Sequence, residues 1–224
     1  MIDATLESTM PRNAEDTRAQ IIEAAERLFA ERGLESVSLR EINREADQRN
    51  ATALQYHFED RSGLIQAIRA KHESAIDASR NPMLDAIEAG GSRTLRDFAT
   101  ALVVPVSEKL ADREGGRAYL RIMGQLVNSY RPDVDPIEKI GATQSQNRWR
   151  AMVEPEMSPL AVFPLHNRFT AARIMFIELA RRAESRRRRD DRLFISHLID
   201  LVTAILGAPV SEQTQALLKE RRRG

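Results

Sequence analysis

Residues 38–63 read SLREINREADQRNATALQYHFEDRSG, and two short helices joined by a turn account for the pattern. Ser38 and Glu41 have the S-x-x-E spacing of a capping box, in which hydroxyl and carboxylate each take a backbone amide left open at a helix start. Leu39, Ile42 and Ala46 give that helix one apolar stripe. The polar run DQRN reads as a turn, and Asn50 suits the N-cap of a helix from Ala51 to Phe58. A helix of that length spans about 11 Å and is marginal alone, so packing must hold it. Leu54 and Phe58, at i and i+4, are the anchor. Thr52, Gln55 and Tyr56 then fall on the opposite side, with Arg49 and Asn50 at the exposed N-terminal end. The segment is too poor in apolar residues to build a core, and what it presents outward is a row of hydrogen-bonding side chains.

Upstream, a helix reads from Thr17 to Arg32, with Ile21, Ala25, Leu28 and Phe29 on one face and Gly33 where it stops. Downstream, a longer helix begins near Arg61 and carries Leu64, Ile65 and Ile68. From about residue 80 the texture changes: Pro82 and the pair Gly90–Gly91 suggest breaks, and amphipathic helices follow. One runs from Thr94 to Leu110 around Pro105, one from Gly116 to Tyr130, and a further one carries Trp149. VEPEMSPLAVFPL reads as a loop, two long helices span 166–185 and 190–207, and a short charged helix closes the chain. No segment keeps a strand's two-residue alternation, so the fold class is all-α.

Composition narrows the function. The chain has 224 residues, 42% hydrophobic and 30% charged, with no cysteine and a net charge of +1. A disulfide framework and Cys-based zinc sites are excluded. His57, His72, His166 and His197 form no i, i+4 pair, so no metal site is expected. No apolar run reaches the roughly 18 residues of a membrane span, and the first residues lack the basic and apolar regions of a signal peptide; a cytoplasmic protein with no membrane partner is expected. The sequence holds no G-x-S-x-G elbow, phosphate loop, H-E-x-x-H or cysteine nucleophile, so no catalytic residues, enzyme activity or cofactor are expected.

A helix-turn-helix with such a face suits DNA. Asn and Gln pair bidentately with adenine, Arg with guanine, and a Thr or Ala methyl touches the thymine methyl. Tyr, His and Ser suit phosphates.

The segments TRAQIIEAAERLFAERGLESVSLREINREA and LQYHFEDRSGLIQAI resemble the DNA-binding domain of the TetR family of transcriptional regulators, over roughly residues 17 to 70. The resemblance implies an N-terminal three-helix helix-turn-helix domain followed by a helical ligand-binding and dimerisation domain. The expected division is a disordered arm at 1–15, the DNA-binding domain at 16–62 and the effector and dimer domain at 63–224. It implies a homodimer on a palindromic double-stranded DNA operator, a repressor released by a small-molecule effector. Carried residue by residue, Ser38 falls at a phosphate-contact position and Arg40 at one that reaches bases or backbone. Asn50 to Gln55 lie on the recognition helix, Tyr56 and His57 fall at its backbone-contacting end, and Arg61 stands where the family often has a phosphate-binding lysine. The sequence departs from the pattern at Asp47, where Gly is usual, in a turn one residue longer, and in a tyrosine displaced to Tyr56 with Gln55 in its place. Val37 to Arg61 holds four arginines against five acidic residues, so binding should lean on directed hydrogen bonds and dimer geometry rather than on bulk charge.

In the second domain, Tyr119, Met123, Tyr130, Trp149 and Phe163 are candidates to line an effector pocket, since cavities are built from core-like side chains. Phe169, Ala172, Met175, Phe176 and Leu179, with Phe194, Leu198, Leu201, Val202 and Ile205, make broad apolar faces on the last two long helices. The resemblance assigns such a pair to the dimer interface. The run Arg186–Arg189 reads as a solvated loop between them. The alternative function is a helical interaction protein that keeps the scaffold without binding DNA, which Asp47 and the near-neutral charge of the helix-turn-helix favour.

Overall fold

The structure, a computed structural model, describes residues 10–47, 53–90, 93–129, 143–185 and 190–221, and every regular element among them is helical. Helix α1 (Met10–Arg32) starts earlier than the Thr17 expected and takes in part of the proposed arm. It ends at Gly33, whose φ of 94° is open to a residue without Cβ and whose N–H closes on the Phe29 carbonyl at 3.0 Å. Ser38 caps α2 (Leu39–Glu45), its Oγ accepting from the Glu41 amide at 3.2 Å. Only half of the expected box forms: the Glu41 carboxylate is paired with Arg32 of α1. Asp47 adopts φ 51°, the left-handed geometry for which Gly is usual and which a short Asp side chain tolerates. Helix α3 (Ala53–Phe58) and helix α4 (Arg61–Ala89) follow. Helix α4 runs unbroken through Pro82 and across the proposed boundary at 62/63, so one rigid element belongs to both halves of the chain. Buried Ile76, Arg80, Leu84 and Ile87 flank the proline and hold both sides of it in place.

The second half contains α5 (Leu95–Ser107), α6 (Gly116–Ser129), α7 (Gln144–Val153), α8 (Pro159–Val162), α9 (Asn167–Glu184), α10 (Arg192–Leu206) and α11 (Glu212–Arg221). Capping boxes Thr94/Asp97 and Thr143/Gln146 start α5 and α7. The proline-rich stretch expected as a loop contains a 3-10 turn at Glu154–Glu156 and the single-turn α8, each with a proline in its first turn, where the missing N–H does no harm. Helix α6 packs along α9, α5 along α10 and α4, and α1 against α6. The run Arg186–Arg189, expected as a loop between α9 and α10, lies outside the described residues. No helix among the described residues is long and apolar enough to cross a membrane.

Two polar contacts weld the N-terminal unit to this bundle. Gln125 of α6 accepts from the Leu34 amide at 2.8 Å and donates to the Phe29 carbonyl at 3.3 Å, so a side chain of the second domain caps α1. Buried Glu26 of α1 meets His72 Nε2 and Lys71 Nζ of α4, both at 2.6 Å. Such groups must be satisfied where they are buried, which fixes the register of α1 on α4.

Candidate nucleic-acid interface and effector cavity

The short helix α3 is pinned from one side. Leu54 and Phe58 are buried, Arg18 of α1 lies 5.3 Å from the Phe58 ring, and Gly63 at the start of α4 touches the Phe58 carbonyl region. The opposite side faces outward: Gln55 is exposed, Tyr56 is 83% exposed, and His57 is half-buried with its ring edge-on to Tyr56 at 5.1 Å. Ser38 and Arg40 on α2 are exposed as well. The expected division of α3 into an anchoring face and a presenting face is therefore present. Arg49, Asn50 and Thr52 lie outside the described residues.

Arg61 is placed differently from the expectation. Its guanidinium donates to the carbonyls of Leu34 and Val37, the latter at 2.6 Å, and lies over the Phe29 ring at 5.6 Å. It closes the α1–α2 loop onto α4. The start of α4 is also occupied, because Asp60 accepts from the Gly63 amide at 2.9 Å. The same internal pairing softens the local negative charge. Glu41 pairs with Arg32 and Glu45 with Arg27, and Asp60 is a cap, so three of the five acidic residues between Val37 and Arg61 are compensated within the domain.

The expected dimer stripe is largely internal. Met175, Phe176, Leu179, Leu198 and Val202 are buried within one chain, against α5 and α6, where a second copy cannot reach them. Phe194 and Ile205 are half-buried against the same core, while Phe169 and Ala172 line a cavity. Leu201 alone of that set is exposed, at 40%. It belongs to a different stripe of α10, Leu193, His197, Leu201 and Ala204, in which every member is exposed.

The cavity, of about 80 Å³, lies between α4, α5, α6, α7 and α9. Of the candidate effector-pocket residues, Met123 and Trp149 line it. Tyr119 instead stacks on His72 at 4.7 Å within the core, Phe163 is 65% exposed, and Tyr130 lies outside the described residues. The residues that composition did not single out are arginines: Arg69, Arg80, Arg150, Arg168 and Arg173 all contribute to the wall. Arg69 pairs with Glu73, and Arg150 and Arg168 share Glu154 at 2.9 and 2.8 Å. Burial raises the Glu73 carboxyl above its usual range in spite of Arg69, and burial lowers the Arg80 guanidinium against the opposing effect of Asp77.

The family model described as bacterial regulatory proteins, tetR family, matches residues 21–68, from α1 into α4. Comparison with curated proteins gives no match. NalD, the secondary repressor of the MexAB-OprM multidrug efflux pump in Pseudomonas aeruginosa, shares 18% identity over 89% of this chain and 100% of its own, with a TM-score of 0.50. PfmR, a TetR family transcriptional regulator from Thermus thermophilus, shares 21% over 85% of this chain and 99% of its own, with a TM-score of 0.47. Likeness to NalD at this identity speaks to the fold alone; the match at 21–68 covers the helix-turn-helix itself, and that segment is a DNA-binding domain of the tetR family of bacterial regulatory proteins.

Proposed function

We propose that this protein is a homodimeric repressor that binds a two-fold symmetric operator through α2 and α3 and is released when a small molecule enters the cavity. The observation that carries the reading is the exposed Gln55–Tyr56 face on a helix held rigidly from behind by Leu54 and Phe58. A polar face on a pinned helix loses little freedom on binding, and Gln can take adenine bidentately. Ser38, Arg40, Tyr56 and His57 suit the flanking phosphates, and Arg49, Asn50 and Thr52 complete the reading set expected from the sequence. Arg61 is left out of it, as a structural clamp.

The cavity shares its walls with the helices that hold the DNA-binding unit. Met123 and Val127 of α6 line it, and Gln125 between them caps α1. Arg69 and Arg80 of α4 line it, and α4 starts against α3. A ligand that moves α4 or α6 therefore changes the setting of α3. It weakens operator binding to the extent that it prefers the displaced state.

Operator titrations test the interface. Gln55→Ala is expected to lower affinity for the specific operator by roughly tenfold, about 1.4 kcal/mol, and to leave affinity for random DNA unchanged. Tyr56→Ala is expected to weaken both together, as loss of a phosphate contact does. Unchanged specific affinity in both variants would remove α3 as the reading element.

A further inference from the structure

Arg80 occupies a position on α4 where the spacing requires an aliphatic side chain, between Ile76 and Leu84, and it is 1% exposed. Its Nε donates to the Ala101 carbonyl at 3.0 Å and its Nη1 to Ser145 Oγ at 2.8 Å, while the buried Nη2 has no hydrogen-bond partner among the described residues. Asp77 lies 3.9 Å from Nη1, but its Oδ1 is already taken by the hydroxyls of Thr143 and Ser145. Arg173 of α9 lines the same cavity, and its Nε is likewise buried with no hydrogen-bond partner among the described residues. A buried donor left open is costly, and more so on a charged group, so two of them on one cavity mark a place where an acceptor belongs. The wider balance points the same way. Among the described residues, five arginines line the cavity, against the carboxylates of Glu73, Asp77 and Glu154 paired or close to them.

The rest of the wall sets the other end of the ligand. Leu102, Val106, Val127, Met175 and Phe176 offer only apolar surface. A cavity of about 80 Å³ is roughly half the ~150 Å³ that accepts benzene in an engineered core. The head group and first carbons of a ligand fit as the cavity stands, and a longer body is admitted by movement of Met123 and Met175, whose side chains adapt readily. A planar carboxylate matches guanidinium donors and leaves no further oxygens to satisfy, whereas a phosphate would bring acceptors and charge into an apolar wall. Resting on the reading of this cavity as the effector site, we propose that the effector is a small monocarboxylic acid with a short aliphatic or aromatic body, its carboxylate received by Arg80 Nη2 and Arg173 Nε.

The test is calorimetric titration of the full-length protein with butyrate and benzoate, each against its neutral amide, butyramide and benzamide, followed by operator titration with and without each ligand. The acids are expected to bind at least tenfold more tightly than the amides. Arg173→Gln should remove that preference while leaving the amides unaffected. Arg80→Gln should do the same if it folds; Arg80 also ties Ala101 to Ser145, so Arg173→Gln carries the test. Amides that bind as well as the acids, acids that do not bind, or an acid preference that survives Arg173→Gln would overturn the proposed ligand class. Acid binding that needs Arg173 but leaves operator affinity unchanged would uphold the ligand class and overturn release by this cavity instead.

Discussion

Replacing Gly63 with alanine is expected to destabilise the DNA-binding unit by more than about 3 kcal/mol and to abolish operator binding. Helix propensity alone predicts the opposite sign, since Gly→Ala inside a helix ordinarily stabilises by about 0.5–1 kcal/mol. Packing decides the outcome here. A Cβ at position 63 would stand 2.1 Å from the Phe58 carbonyl oxygen and 3.1 Å from its carbon, and neither is the yielding tip of a side chain. To make room, α4 must withdraw from the end of α3, and with it Leu64 and Ile68, both fully buried, leave their places. Helix α3 has six residues and no stability of its own, so it loses its footing. Thermal or urea unfolding of Gly63→Ala beside wild type, with operator titration, checks both halves. A variant as stable as wild type would show that the junction of α3 and α4 yields freely.

The double variant Leu193→Glu/Leu201→Glu is expected to be monomeric and to lose operator affinity by about 10²-fold or more, with its helices intact. The two leucines are 82% and 40% exposed on one stripe of α10, so charge there costs a single chain almost nothing. In a dimer joined through that stripe, facing carboxylates would be brought together and desolvated. A monomer engages one half-site at a time, and the second, effectively intramolecular contact is lost. Light scattering with operator titration reads both effects. A variant that remains dimeric would place the interface elsewhere.

What the sequence disclosed depended on how local each cause was. The stripe of Ile21, Ala25, Leu28 and Phe29, the stop at Gly33 and the Ser38 cap depend on neighbours within a turn or two, and all were legible. Arg61 was not, because its partners are the carbonyls of Leu34 and Val37, brought to it only by the fold. The apolar faces of α9 and α10 are broad enough to serve a core or an interface, and periodicity cannot say which stripe meets its own chain. The cavity was partly legible in a form that a search for aromatics passes over. Arg80 between Ile76 and Leu84, and Arg168 ahead of Ala171 and Met175, put charges on stripes that are otherwise apolar and buried. Charges at such positions mark a polar site inside a core more surely than Tyr119 or Phe163 did.

The most direct test of the central claim is selection from a library of random double-stranded DNA, using full-length wild-type protein and Gln55→Ala/Tyr56→Ala in parallel. The wild type is expected to enrich an inverted repeat whose half-sites are centred about 34 Å apart or slightly more, one turn of DNA, and the double variant is expected to enrich none while keeping wild-type helix content. No enriched repeat with the wild type, or the same repeat with the variant, would contradict the account; the first result would favour a helical interaction protein built on the same scaffold.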